Sequence, residues 1–184
     1  MSTENFSITS FDDFKNWNTI NDTIMGGSSQ AVCKLTPIGL SLEGNLIEEN
    51  GGFVSCRSPL ISPPLDISHY LGLQIDVDGQ GRTLKIALLC SDSFSRLTEF
   101  ISGRVRWVAE VETDNLGTTN VQVPFSAFSP TIRARQLPFP LQFKPHCITQ
   151  FQLLHSRFGT NGNLNQGFSP GPFRILLRSI SAYS

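Results

Sequence analysis

Polar and apolar residues alternate one for one along much of the chain. Leu73, Ile75 and Val77 are interleaved with Gln74, Asp76 and Asp78, leaving one apolar face and one wet face. A two-residue period marks a half-buried strand. The pattern returns at Leu84, Ile86 and Leu88, beyond the turn sequence DGQGR at 78–82. It returns again with Val105, Trp107, Ala109 and Val111 on one side and Arg104, Arg106, Glu110 and Glu112 on the other. Phe151 with Leu153, and Phe173 with Ile175 and Leu177, predict two further strands; 39–47 and 53–58 predict shorter ones. Clusters rich in Pro and Gly separate these runs: SPLISPPLD at 58–66, SPTIRARQLPFP at 129–140 and GTNGNLNQGFSPGP at 159–172.

No long helical period interrupts this pattern. One or two helical turns are expected around Phe11–Trp17, and another near Ser126–Phe128. About eight or nine short strands divided by turns predict an all-β antiparallel sandwich, of the jelly-roll kind. No internal repeat or low-complexity linker divides the chain, so residues 1–184 are expected to form a single jelly-roll domain.

Charge and composition narrow the function. The 184 residues carry 14 Lys and Arg against 15 Asp and Glu, a net charge of −1, which exerts no general pull on nucleic acid or anionic membrane. The pairs Arg104–Arg106 and Arg133–Arg135 raise RNA binding as an option. Glu110 and Glu112 share a strand face with the first pair, and a solvated face is the simpler reading. No apolar run reaches bilayer length. The opening residues, MSTENFSITSFDDF, lack both the secretory and the transit-peptide patterns. The expected location is the cytoplasm, with peripheral attachment to a membrane through a partner as the alternative. Cys33, Cys56, Cys90 and Cys147 form no CxxC pair and are expected to be unbridged, mostly buried thiols.

Catalytic signatures are absent. The chain has no GxSxG, HExxH, Walker or GxGxxG motif. His69, His146 and His155 lie at no metal-ligand spacing, and His155, on an apolar strand, reads as structural. Neither a metal, a cofactor nor catalysis is expected.

Two segments stand out. The first is Asn21-Asp22-Thr23-Ile24-Met25-Gly26-Gly27, where Asx-turn residues precede two glycines. The second is Asn50-Gly51-Gly52 leading into Phe53–Arg57, a hairpin or bulge signal. Each reads either as a structured turn or as a recognition loop. Asn21, Asp22, Met25, Gly26, Gly27, Asn50, Gly51 and Gly52 are therefore candidate partner- or ligand-binding residues. Arg57 is a candidate partner for an anion; the competing reading is that Asp22 merely pairs with Arg57, or caps a turn, to hold the fold.

With NDTIMGGSS (21–29), LEGNL (42–46) and ENGGFVSCRS (49–58) on view, the chain resembles the complex I intermediate-associated protein 30 family. LDISHYLGLQIDVDGQGRTLKIAL (65–88), VQVPFSAFSPTIRARQ (121–136) and GPFRILLRSISAY (171–183) resemble its later blocks. It departs from the pattern at Gln80, Asn120 and Arg135. The resemblance implies a galactose-binding-domain-like jelly roll and a non-catalytic, chaperone-like assembly factor. The implied partners are proteins of a respiratory or photosynthetic complex, with no nucleic acid. It further implies a stand-alone bacterial or cyanobacterial member. A carbohydrate-binding module is the alternative that the fold would permit. Such modules present Trp or Tyr faces to sugars, whereas 14 of the aromatic residues here are Phe, with only 2 Trp and 2 Tyr.

Overall fold

Alternation along the chain becomes two antiparallel sheets stacked face to face. The computed structural model describes residues 5–9, 11–91, 104–132, 134–138 and 140–184; Arg133 of the second arginine pair lies outside them. The strands are β1 (Phe6–Thr9), β2 (Asn18–Asn21), β3 (Gln30–Thr36), β4 (Gly39–Leu46), β5 (Phe53–Arg57) and β6 (Gly72–Asp78). They continue with β7 (Thr83–Cys90), β8 (Arg106–Glu112), β9 (Thr119–Pro124), β10 (Ser129–Ile132), β11 (Arg135–Gln136), β12 (Ile148–Ser156) and β13 (Gly171–Tyr183).

The six-stranded sheet runs β3-β4-β13-β6-β9, with β1 beside the far half of β13. The seven-stranded sheet runs β11-β10-β8-β7-β12-β5-β2. The expected all-β jelly-roll sandwich is what forms. Among the described residues, three short 3-10 helices accompany it, at Phe11–Asn16, Asp22–Met25 and Phe125–Ala127. The first and third fall where helical turns were expected; the second lies inside the NDTIM segment.

One face of each sheet is apolar, and the two faces enclose the core. Leu42, Ile75, Val77, Ile175 and Leu177 come from one sheet; Val54, Ile86, Leu88, Trp107, Phe151 and Leu153 come from the other. Burying each such side chain contributes about 1.5–3 kcal/mol. Phe14 and Trp17 meet edge to face, 5.5 Å between ring centroids, and join the same cluster. The DGQGR turn takes the chain from one sheet to the other. Gln80 and Gly81 both have positive φ, 55° and 77°, and Arg82 N–H donates to the Gly79 carbonyl at 3.2 Å.

The expectation of four unbridged thiols fails at two of them. Cys33 of β3 and Cys56 of β5 form a disulfide, their Cα atoms 6.3 Å apart. Stacking sets β3, an edge of one sheet, against β5, next to the edge of the other. Proximity across a sandwich leaves no spacing signature in sequence, which is why the pair was not legible. Cys90 and Cys147 remain buried thiols, and each donates to the Lys144 carbonyl, at 3.7 and 3.4 Å.

Candidate functional site

Strand pairing brings the two distinctive segments together. β2 lies antiparallel to β5 with Asn21 opposite Val54, so the residues after Asn21 meet those before Phe53. Between them sits the carboxylate of Asp22, at 0% exposure. Its Oδ1 accepts the Ser29 N–H at 2.9 Å, and its Oδ2 accepts the N–H groups of Gly52 at 2.7 Å and Phe53 at 3.4 Å. Burial alone would raise the Asp22 pKa. The amide donors of Gly52, Ser29 and Phe53 outweigh it and hold the carboxyl below its ordinary 3.8.

The glycines follow from this carboxylate. A Cβ on Gly27 would lie 2.3 Å from Asp22 Cγ, and one on Gly51 would lie 2.4 Å from Oδ2. No larger residue leaves room for the charge. Gly26 (φ 88°) ends the 3-10 helix in the left-handed region, and its N–H donates to the Thr23 carbonyl.

The loop therefore has an inside and an outside. Asp22 and Gly52 are interior, Asn21, Gly27 and Gly51 half-buried, while Met25, Gly26 and Asn50 face solvent. Asn21 Nδ2 donates to the Ala31 carbonyl at 3.1 Å, tying β2 to β3. Ile24 and Met25, 71% and 75% exposed, form the apolar tip.

Arg57 is elsewhere. It sits at the opposite end of β5, roughly 13 Å of strand beyond Phe53, and makes no ion pair with Asp22. Of the two structural readings of Asp22, pairing with Arg57 is corrected, because amides and not a guanidinium meet the carboxylate; capping of the turn backbone agrees with those bonds. Among the described residues, no three of His, Cys, Asp and Glu converge as a metal set requires.

His155 takes the structural place its apolar strand suggested, whereas buried Lys85 escaped sequence reasoning. His155 is fully buried, its ring stacked 5.4 Å from Phe168. Its Nδ1 lies 3.0 Å from the Thr83 carbonyl, which assigns the proton there, while Nε2 has no partner. Burial, with Arg82 and Lys85 adding to it against the Thr83 carbonyl, lowers the His155 pKa to about 4. Lys85, 5% exposed, donates to Ser156 Oγ at 3.1 Å and to the Phe158 carbonyl.

Residues 6–177 match the sequence profile of complex I intermediate-associated protein 30. The chain belongs to that family. Within the matched range, the segments NDTIMGG and NGGF are the two halves of the Asp22 cage. Among curated proteins, no sequence matches this member of the family. Solved structures do match its fold. The family 11 carbohydrate-binding module of cellulosomal cellulase Lic26A-Cel5E of Clostridium thermocellum superposes with a TM-score of 0.68 at 13% identity, over 100% of this chain and 96% of that one. The Clostridium thermocellum family 11 module in complex with a β-1,3-1,4-mixed-linked tetrasaccharide gives 0.65 at 15% identity, covering 100% and 98%. A non-crystalline cellulose specific module of family 28 gives 0.51 at 9%, covering 99% and 96%. At these identities the likeness establishes the sandwich fold.

Proposed function

We propose that this chain, acting as one jelly-roll domain, is a non-catalytic assembly factor for a membrane-associated redox complex, of the complex I or photosynthetic type. The family match across 6–177 carries this reading. The end of the sandwich fits it. Asp22 fixes the loop backbone from inside, so Ile24, Met25, Gly26 and Asn50 are presented at low entropic cost to a partner protein. In this reading Asn21, Asp22, Gly27, Gly51 and Gly52 shape the contact, and the exposed residues make it. No helix among the described residues is long and apolar enough to cross a membrane. Contact with the complex would then run through protein partners at its periphery.

Affinity capture from solubilised native membranes tests the proposal. The tagged protein is expected to enrich subunits of a respiratory or photosynthetic complex, and an Ile24→Ser/Met25→Ser variant to lose most of that enrichment at unchanged melting temperature. Equal recovery by the variant would remove the loop from the contact; no enrichment of such subunits would remove the assembly role.

The likeness to carbohydrate-binding modules keeps a glycan-binding reading in view. Against it, Trp17 and Trp107 are both in the core, 7% and 3% exposed. Electrophoresis through gels containing mixed-linkage glucan decides it, since a binder is retarded and an assembly factor runs unchanged.

A further inference from the structure

The edges of the two sheets are stitched together beside the Asp22 loop. β2 ends one sheet and β3 ends the other, so among the described residues each has one side without a ladder neighbour. Side chains of β2, and Asp22 just beyond it, cross that gap in antiparallel order. Thr19 Oγ1 accepts the Cys33 N–H at 2.7 Å, Asn21 Nδ2 donates to the Ala31 carbonyl at 3.1 Å, and Asp22 Oδ1 accepts the Ser29 N–H at 2.9 Å. These successive bonds form a seam, closed at one end by the loop from Asp22 to Ser29 that carries Ile24 and Met25.

The disulfide closes the other end. Cys56 lies opposite Thr19 in the β2–β5 ladder, and Cys33 is the residue whose N–H Thr19 holds. β2, β3 and β5 are therefore fastened at one level by Thr19, Cys33 and Cys56. The same strands supply the cage roughly 10–13 Å further along, where Thr19 leads on to Asp22, Cys33 back to Ser29 and Cys56 back to Gly52. Each bond of the seam is a single hydrogen bond, of the kind that opens and closes within the folded state. The bridge is covalent, and while it stands the edges stay together. Its two sulfurs differ in access: Cys56 is at 0% exposure, whereas Cys33, on the edge strand, is half-buried.

We propose that the Cys33–Cys56 bridge is a redox switch that sets, along this seam, whether the Ile24–Met25 loop is held rigid or released. The reductant is a dithiol. One of its thiolates attacks the Cys33 sulfur; a new S–S bond forms there as the Cys33–Cys56 bond breaks, and Cys56 leaves as a thiolate that takes up a proton. The second thiol, deprotonated, then attacks the reductant's own sulfur in the mixed disulfide and expels Cys33 as a thiolate, which is protonated in turn. Two electrons pass to the cysteine pair, and the dithiol ends as a disulfide. In the oxidised chain the Asp22 cage stays closed and the tip is presented in one conformation. In the reduced chain the β3 edge parts from β2 and β5, and the cage opens locally while the rest of both sheets stays paired. The switch depends on the geometry of the seam alone, and it stands whether or not the loop meets a redox complex.

The test is native-state hydrogen exchange of the full chain, oxidised and in dithiothreitol, over a series of low urea concentrations. Exchange that ignores urea reports local opening, and exchange that rises with urea reports global unfolding. On reduction, the urea-independent exchange of the Ser29, Gly52 and Phe53 amides is expected to accelerate about tenfold or more. Amides within β7 and β8 should keep to the urea-sensitive route in both states. With glutathione in place of the dithiol, mass spectrometry should find the mixed disulfide on Cys33. Asn21→Ala, which cuts the seam between bridge and cage, should let the cage amides open equally fast in both redox states. The proposal is overturned by cage exchange that reduction leaves unchanged, by a redox response that survives in full in Asn21→Ala, by reduction that proceeds only at the rate of global unfolding, or by loss of the whole fold on reduction.

Discussion

Removing the Asp22 carboxylate would strand the N–H groups of Ser29, Gly52 and Phe53 in a site closed to water. Each unsatisfied buried donor costs about 1–3 kcal/mol, so Asp22→Ala is expected to destabilise by about 3 kcal/mol or more in urea denaturation. Asp22→Asn keeps one acceptor oxygen and should cost less. The charge also gives Asp22 a pH signature. Its folded pKa lies below 3.8, so its stabilisation is complete above that value and is lost as pH falls through the folded pKa. His155 acts in a higher window. Its folded pKa is about 4 against 6.5 unfolded. Between these, the unfolded chain binds a proton that the folded chain refuses, and stability rises with pH by up to about 3 kcal/mol. Urea midpoints at pH 7 and pH 4.5 measure this slope. His155→Gln should flatten it, and an identical slope in the variant would refute the assignment.

At the scale of elements, the disulfide between β3 and β5 ties an edge of one sheet to the other sheet. With 23 residues of sequence separation, its loop closure contributes about 3 kcal/mol. Reduction, or a Cys33→Ser/Cys56→Ser pair, is expected to lower the melting temperature by roughly 10 °C. Calorimetry with and without dithiothreitol checks it; an unchanged transition would mean the bridge adds nothing. What sequence periodicity could show divides along the same line. β6, β7, β8, β12 and β13 lie inside the sheets, one face against the core, and their alternation is plain. β1, β2 and β10 have four residues each and β11 two, too few to display a period. The NDTIMGG and NGGF segments were legible as motifs. That they close on one carboxylate is a consequence of β2 pairing with β5, which no local pattern encodes.

For the molecule as a whole, the bridge bears on where the protein works. Disulfides persist in oxidising compartments and are rare in reducing cytosol, whereas the N-terminal sequence led to a cytoplasmic expectation. Alkylation of protein taken unreduced from its native source separates the two. With the bridge formed, mass spectrometry after denaturation should find Cys90 and Cys147 labelled and Cys33 and Cys56 protected. Four labelled cysteines would mean that the native environment keeps the pair reduced, and the stability measured in air would overstate that in the cell.

The place of β13 has a further consequence. It pairs with β4 along Gly171–Leu177, with β6 along Leu176–Tyr183 and with β1 at Ile180–Ala182. Translation thus delivers β3, β4, β6 and β9 before the strand that unites them. Until β13 emerges, the β3–β4 hairpin and the antiparallel β6–β9 pair expose facing backbone edges with nothing between them. A nascent or truncated chain stopping near residue 170 is a split sheet awaiting one strand, and any extended segment that reaches the gap first competes for it.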